Sequence, residues 1–472
     1  MKKRSRAGFG AVLLLILTVV CALTGVNCRL MNRERRNVIL ISIDTLRADH
    51  VGCYGYDKPT TPRIDALAAE GIVFRNAYAT SPWTLPSHTS MFTGLYADAH
   101  GMNDGKSVLA KKATTLASIM KNHGFWTGAI VCAPYLDKHY GLTHGFDVYD
   151  NDLVHPKVKN PRAIKVADDV TDKALAYIDR HKRKNIFLFL HYWDPHHPYN
   201  PAKEYVDLFD PDYTGQIKGF NIRLRKDMVP GMNPRDLEHI VALYDGEIRY
   251  TDDGIGRLLD GLARRGLDKN TMIVITSDHG EEFLEHGGRA HLAMCWEELI
   301  RVPMIFYVPW LTPHAKAFDE LVSLVDLFPT ILDFNDIGRS DYRVQGRSLA
   351  WLIQRGTPLE DRNLYAETRF GNLTPMRHDP RGIWSVLIDP ERMKFHSFVR
   401  PREQINFLFD LTVDPGEREN LVNLRRETMA ELNRQLKKQQ SIHQHLRDEL
   451  NWTKRRKASR KIRNKLKNLG YI

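Results

Sequence analysis

Cysteine is scarce in this chain, and its five residues form no C-x-x-C pair. Cys21 and Cys28 fall in an N-terminal leader, which leaves Cys53, Cys132 and Cys295 in the body. An odd number without knuckle spacing argues against a zinc knuckle and a disulfide framework. All three are expected to be buried as small apolar residues. Internal repeats and low-complexity linkers are missing too, as is any helix-turn-helix, finger or aromatic RNA-binding motif. The net charge of +11 does not form a basic face: residues 421–472 hold 15 Lys/Arg against 4 Asp/Glu, a surplus equal to that of the whole chain. Residues 1–420 are therefore neutral as a whole, and nucleic acid is not an expected partner. Beyond residue 26 no second apolar run is long enough to cross a bilayer.

What is present reads as globular: 43% of residues are hydrophobic and 26% charged, a balance unlike that of disordered or fibrous chains. A length of 472 residues exceeds what one core usually supports, so a large domain plus a smaller one is expected. At the N-terminus Lys2, Lys3, Arg4 and Arg6 precede an apolar run, Ala7–Val26, followed by Arg29, Arg33, Arg35 and Arg36. The run can span a bilayer, and its basic start suits an export signal. Residues 1–36 are expected to be a membrane anchor or signal segment, with the body on the outer face.

Four apolar runs rich in Val, Ile and Phe have the length of buried strands: Val38–Ile43, Ile186–His191, Met272–Thr276 and Pro303–Val308. Between them Ile64–Glu70, Thr115–Lys121, Val166–Arg180 and Leu237–Leu262 show a helical period. This alternation predicts an α/β fold with a mostly parallel sheet, whose ligands gather at the carboxyl ends of the strands. Residues 320–425 carry short strand-like pieces, Trp384–Ile388, Lys394–Val399 and Phe407–Leu411, and suit a small antiparallel α+β subdomain. A polar helix, Thr428–Leu450, and a Lys/Arg-rich segment follow, so residues 426–472 are expected to be a basic helical tail. That tail either packs its apolar stripe on the body or meets anionic lipid.

The strand ends carry the chemistry. The first delivers Asp44, which is either a helix N-cap or a metal ligand. The third delivers Ser277-Asp278-His279-Gly280, a hard oxygen next to an imidazole, which suits a divalent cation. A third block, Ala79 to Gly94, places Pro86 and Gly94 where a short helix should begin and end, so the helix starts right after Thr84. Its free N–H groups would face the Thr84 hydroxyl and an anionic substrate; alternatively Thr84 only caps the helix. His191, Asp194, His196 and His197 crowd after the second strand, and His291 follows the loop 281–290. Core packing does not call for so many imidazoles at strand ends. Glu281, Glu282, Glu285, His286 and Arg289 either shape that loop or form a solvated face.

Jointly these landmarks resemble the sulfatase family of the alkaline-phosphatase superfamily, from about Asn37 to Val422. The resemblance rests on Asn37–Arg47, the Thr84–Gly94 block, Asp194–Tyr199, Tyr244–Asp252, Ser277–Gly280, Glu297–Pro303 and Phe409–Leu421, with a familiar ending at Leu469–Ile472. It implies an alkaline-phosphatase-like sheet sandwiched by helices and a catalytic domain over residues 37–319. It also implies a divalent metal ion (Zn, Mn, Ca or Mg) held by Asp44, Asp278 and His279 together with Thr84. By the same comparison His196 contacts the transferred group, and His291 binds the substrate anion or protonates the leaving group. His88, His191, Asp194 and His197 are assigned to substrate binding.

Three departures matter. Thr45 stands where many sulfatases have a second Asp ligand, which implies leaner metal coordination. Sulfatases carry Cys or Ser in a Cys/Ser-x-Pro-x-Arg signature that is oxidised to formylglycine, whereas this chain reads Thr84-Leu-Pro-Ser-His88. Oxidised threonine would be a ketone, and His88 replaces the signature's Arg. The usual Lys and His of the following block are not recognisable around Thr127–His139. Members with threonine here include phosphoglycerol and phosphoethanolamine transferases and nucleotide phosphodiesterases. The expected function is therefore metal-dependent hydrolysis or transfer of phosphate esters, lipid- or glycan-linked, with Thr84 as nucleophile. The alternatives are a sulfuric ester hydrolase working without formylglycine and a non-catalytic binder of glycans or envelope polymers.

Overall fold

Asn37–Ile43 (β1) is buried at all seven positions, as a strand covered on both faces must be. In the computed structural model, which describes residues 36–154, 166–217, 222–291, 294–311, 315–338, 342–369, 382–455 and 460–468, β1 lies inside an eight-stranded sheet. The further strands are Ile72–Tyr78 (β2), Ser107–Leu109 (β3), Trp126–Ile130 (β4), Val148–Asp150 (β5), Ile186–Tyr192 (β6), Thr271–Ser277 (β7), Glu282–Phe283 (β8) and Arg289–Ala290 (β9). Met304–Tyr307 (β10), Lys316–Ser323 (β11), Leu364–Arg369 (β12), Ile383–Ile388 (β13), Met393–Arg400 (β14), Glu403–Asp410 (β15) and Thr453–Arg455 (β16) complete the set. The large sheet has the order β11-β2-β10-β7-β1-β6-β4-β5. Every pairing in it is parallel except those of β10, which runs antiparallel to β7 and β2.

Register decides where the chemistry sits. Ile43 at the end of β1 stands level with Tyr192 on β6 and Ser277 on β7. The next residues, Asp44, Trp193 and Asp278, therefore leave the sheet side by side. Helices flank the sheet, among them Pro62–Ala69, Ala167–His181 and Pro234–Arg264, which pack together, and Thr84–Thr93 with Leu116–Asn122.

Residues Asn37–Ile472 form one compact unit. The expected domain boundary at 319/320 falls inside β11, a strand of the large sheet. The second sheet, β12-β13-β14-β15, is antiparallel throughout, and Arg426–Leu450 packs on β13 and β14. Lys394 of β14 is fully buried and bridges Glu297 at 2.9 Å and Glu417 at 3.1 Å, while His396 meets Glu417 at 2.7 Å. Removing one member of such a cluster strands the other charges. Lys394→Ala is therefore expected to lower unfolding free energy by about 3–5 kcal/mol, read from urea titration.

The anchor or signal expected over residues 1–36 lies outside the described residues except for Arg36, as do Leu469–Ile472. Among the described residues no helix is long and apolar enough to cross a membrane. In the tail, Ile462 and Leu466 of Arg460–Asn468 are buried, and this helix packs on the turn Pro134–Leu136 while Arg460, Arg463 and Lys467 stay exposed. Cys132 and Cys295 are buried as expected, but Cys53 is only half-buried.

Candidate active site

Asp44 and Asp278 meet in a dry place. Both are fully buried, and among the described residues both oxygens of Asp44 and Oδ2 of Asp278 have no hydrogen-bond partner. Burial raises the proton affinity of each carboxyl, Glu281 adding to the effect on Asp44 and Asp44 to that on Asp278. Two unsatisfied carboxylates in low dielectric need a cation.

The neighbouring imidazoles are prepared for one. His279 Nδ1 lies 2.9 Å from Gly280 O. A carbonyl can only accept, so that nitrogen carries the proton and Nε2 offers its lone pair. Nε2 stands 3.3 Å from Asp278 Oδ2 and 3.7 Å from Asp44 Oδ1. His191 Nε2 lies 3.3 Å from Asp44 Oδ2; burial pushes this imidazolium down to about 3, so the ring is neutral. Two sets, Asp44–Asp278–His279 and His88–His191–Asp278, each bring ligand atoms within 4.8 Å of one another. Carboxylate and imidazole together fit a divalent cation, and fixing the far side of a ligating His is how such sites are usually oriented.

Two backbone features hold the pair. Thr45 has φ 60°, a left-handed conformation that a β-branched residue adopts only under constraint. Its N–H donates to Asp278 Oδ1 at 3.3 Å and its carbonyl accepts from Tyr244 OH at 2.7 Å. Gly280 lets the chain pass Glu298, whose carbonyl oxygen would lie 1.9 Å from any added Cβ.

Thr84 is the first residue of Thr84–Thr93 and is 2% exposed. Pro86 is thus the third helical residue, not the first, because the extended cap is Trp83. The capping alternative for Thr84 does not hold. Gly94 ends the helix at φ 67° as expected. Ser87 Oγ donates to Asp278 O at 2.6 Å, and His88 Nδ1 lies 3.4 Å from Asp278 Oδ2. The opening turn of Thr84–Thr93 therefore rests on Asp278.

On the other side His291 Nδ1 lies 2.8 Å from Glu281 Oε1, while Tyr199 OH donates to Glu281 Oε2 at 2.8 Å. Burial raises the Glu281 carboxyl to about 7. The His291 ring lies 4.4 Å from that of His279 and 5.0 Å from that of His196. His196 is oriented by Nδ1 donating to His197 O at 2.6 Å and by Trp193, ring to ring at 3.9 Å.

Residues 36–337 match the family described as Sulfatase. The chain belongs to the sulfatase family. Residues 285–445 also match the family described as N-sulphoglucosamine sulphohydrolase, C-terminal. Over 452 residues this sulfatase-family chain is 27% identical to an arylsulfatase of Clostridium perfringens, covering 82% of this chain and 90% of that one. It is 28% identical to human iduronate 2-sulfatase, over 69% of this chain and 74% of the relative. In fold it is similar to the phosphonate monoester hydrolase of Agrobacterium radiobacter (TM-score 0.71, 20% identity, 87% of this chain and 96% of that one). A protein solved with D-glucosamine-2-N,6-O-disulfate also has TM-score 0.71, at 21% identity over 88% of this chain and 99% of that one. The chain is a hydrolase of sulfuric or phosphoric esters, and its family is metal-dependent.

Within this sulfatase fold three of the expected substrate contacts have other work. Asp194 Oδ2 accepts from the N–H groups of Val166 and Ala167 at 3.2 and 3.3 Å, anchoring the start of Ala167–His181. His88 has both nitrogens engaged: Nδ1 donates to Thr84 O at 2.8 Å and Nε2 accepts from Ser42 Oγ at 3.0 Å. It braces the helix, and with both nitrogens engaged it lends neither to the His88–His191–Asp278 set. His191 points at Asp44 and joins the metal-type donors. His197 is buried, with no hydrogen-bond partner at either nitrogen among the described residues.

The sequence reading did not single out Glu281 as the orienter of His291, or Arg223, whose charge reaches His291 and His197. A glutamate directly after Asp-His-Gly was the available signal for the first; nothing in the sequence marks the second. Glu281→Gln would leave one acceptor oxygen where His291 Nδ1 and Tyr199 OH now use two, so the hold on the imidazole weakens. The expected result is a fall in kcat of roughly 10–100-fold with KM little changed, seen in steady-state kinetics.

Proposed function

We propose that this chain transfers the phosphoryl group of a phosphate mono- or diester through Thr84. The observation that carries the reading is a hydroxyl residue that cannot become formylglycine, opening a buried helix whose first turn rests on Asp278. Asp44, Asp278 and His279, with His191 beside Asp44, would hold the divalent ion. When bound, such an ion lowers the proton affinity of a nearby hydroxyl and offsets charge on the transferring group.

The chain's own residues do the rest. Thr84 loses its hydroxyl proton to solvent as its Oγ–P bond forms and the ester P–O bond breaks. The helix N-terminus adds fixed positive potential beside the anion. Burial and the charge of Arg223 hold His291 neutral. An arriving anion favours its imidazolium, with Glu281 accepting at Nδ1 and Nε2 protonating the leaving oxygen. Water or an acceptor hydroxyl, deprotonated at the same nitrogen, then releases Thr84.

The sulfatase names of the relatives favour a second reading, sulfate-ester hydrolysis without formylglycine. Turnover of aryl sulfate, aryl phosphate and bis-aryl phosphate under one set of conditions separates the two. Aryl sulfate as the best substrate would reject the phosphoryl reading. For location we propose the outer face of a membrane, on the strength of the basic-flanked apolar run Ala7–Val26. Protease digestion of intact cells tests this, since a body that survives until the cells are lysed would contradict it.

A further inference from the structure

Residues 451–472 hold nine Lys/Arg and no Asp/Glu. The described part of this segment is built into the body. β16 pairs antiparallel with β3, and the N–H of Ala110 donates to Trp452 O at 2.6 Å. Ile462 and Leu466 of the helix Arg460–Asn468 are buried, and the helix packs on the turn Pro134–Leu136. Its apolar stripe is thus taken up by the body, and charge is left facing water. Arg460, Arg463 and Lys467, spaced along one helical face, are exposed. So are Lys454 of β16 and Lys106 and Lys111, which flank β3. Among the described residues none of these cations has an ion pair or a side-chain hydrogen bond. The acids near them along the chain are engaged: Glu449 pairs with Arg343, Asp448 accepts from Gln444 Nε2 at 2.8 Å, and Asp104 Oδ1 accepts from the N–H groups of Lys106 and Ser107.

The place of this basic surface decides what it fits. Ile130 at the end of β4 stands level with Leu190 of β6, which stands level with Ile41 of β1. The turn Pro134–Leu136, shortly after β4, therefore lies at the carboxyl edge of the sheet, where Asp44 and Asp278 emerge. It packs on the helix Thr84–Thr93, and Tyr135 meets Trp83, the residue before Thr84, edge to face at 5.2 Å. One turn of chain thus separates the basic helix from the helix that Thr84 opens. β1 is entered at Asn37, at the opposite edge. The basic surface is therefore on the side of the site and away from the point where the N-terminal apolar run joins the body. Unpaired cations beside an ester-cleaving site fit the successive charges of an anionic chain better than a lipid plane at the other edge.

We propose that the surface formed by the helix Arg460–Asn468 and the β3–β16 pair binds a stretch of an anionic polymer whose ester groups are the substrate. It holds the polymer while one ester occupies the site, and engagement at two places raises affinity far above that of a single ester. The inference rests on the ester-transfer reading, so its test reads binding, which needs no turnover. Fluorescently labelled dextran sulfate is titrated with the metal-loaded full chain in neutral detergent, by anisotropy at several salt concentrations. The comparison is a variant carrying Arg460→Gln, Arg463→Gln and Lys467→Gln together. It should bind at least about tenfold more weakly, and the slope of log K against log salt should shrink by about 2–3. Dextran sulfate should also expel phenylphosphonate, read calorimetrically, from the wild type at a concentration at least about tenfold lower than from the variant. Glucose 6-sulfate should compete equally in both. The substitutions lie at exposed positions and keep Ile462 and Leu466, so aryl-ester turnover should be the same in the two proteins.

Unchanged polymer affinity in the variant would overturn the proposal. So would polymer binding that depends on the three cations yet leaves phenylphosphonate in place, because the surface would then not serve the site. Loss of polymer binding when phosphatidylglycerol is added to the micelles at equal charge concentration would assign the surface to lipid instead. A variant-sensitive affinity in a protein that turns over no aryl phosphate would refute the transfer reading and leave the polymer surface standing.

Discussion

Thr84→Ala is expected to lower kcat for phosphate esters by roughly 10⁴–10⁶, the loss typical of a removed nucleophile. Circular dichroism and bound metal should stay as in the wild type. Alanine at the first position of Thr84–Thr93 removes no cap bond, because the side chain makes none. Thr84→Ser should restore most of the rate, since it supplies the same oxygen. Intact-mass measurement after mixing with a phosphodiester and quenching in acid should show a phosphoryl adduct that peptide mapping places on Thr84. Full activity in the alanine variant would show that some other group attacks, and an adduct on another residue would identify it.

The second large effect concerns the two carboxylates. Without metal, burial raises the proton affinity of both Asp44 and Asp278, Glu281 adding to the first and Asp44 to the second, and that cost belongs to the folded state alone. Asp278→Asn removes one charge from the pair. In EDTA-treated protein it should therefore raise the melting temperature. In wild type an added divalent ion should stabilise by RT ln(1 + [L]/Kd), about 2.7 kcal/mol at a hundredfold excess over Kd. The variant should lose nearly all of this gain and, with it, activity. Opposite signs in the two conditions distinguish a ligand from an ordinary structural aspartate, whose loss would destabilise the protein in both. Metal analysis of the two proteins checks the same point independently.

These effects depend on a site assembled from distant parts of the chain. Asp44, His191 and Asp278 come from three segments, and their meeting follows from parallel neighbours ending level at Ile43, Tyr192 and Ser277. The buried Lys394–Glu297–Glu417 cluster holds the second sheet against the helix Glu297–Ile300, next to the loop that carries Glu281 and His291.

Much of this was legible locally. Apolar runs such as Val38–Ile43 and Met272–Thr276 mark buried strands because covering both faces leaves no polar position. A strand that stops must then deliver its next residue to the sheet edge, which placed Asp44 and Asp278 correctly. Strands with interrupted patterns escaped: β2 carries Arg75, exposed, and Asn76, and β4 is five residues with a glycine. The antiparallel direction of Pro303–Val308 was equally hidden, because direction depends on a partner strand and not on composition.

The sequence by itself determined the fold class, the strand-end carboxylates, the helix opening at Thr84 and the family. Those features depend on neighbours along the chain. Only the tertiary structure decided that His88 and Asp194 brace the scaffold, that His191 joins the carboxylates, and that Glu281 faces His291. The physical reason is that an imidazole or carboxylate acquires its role from the atom opposite each polar tip, and here nearly all of those atoms belong to remote segments.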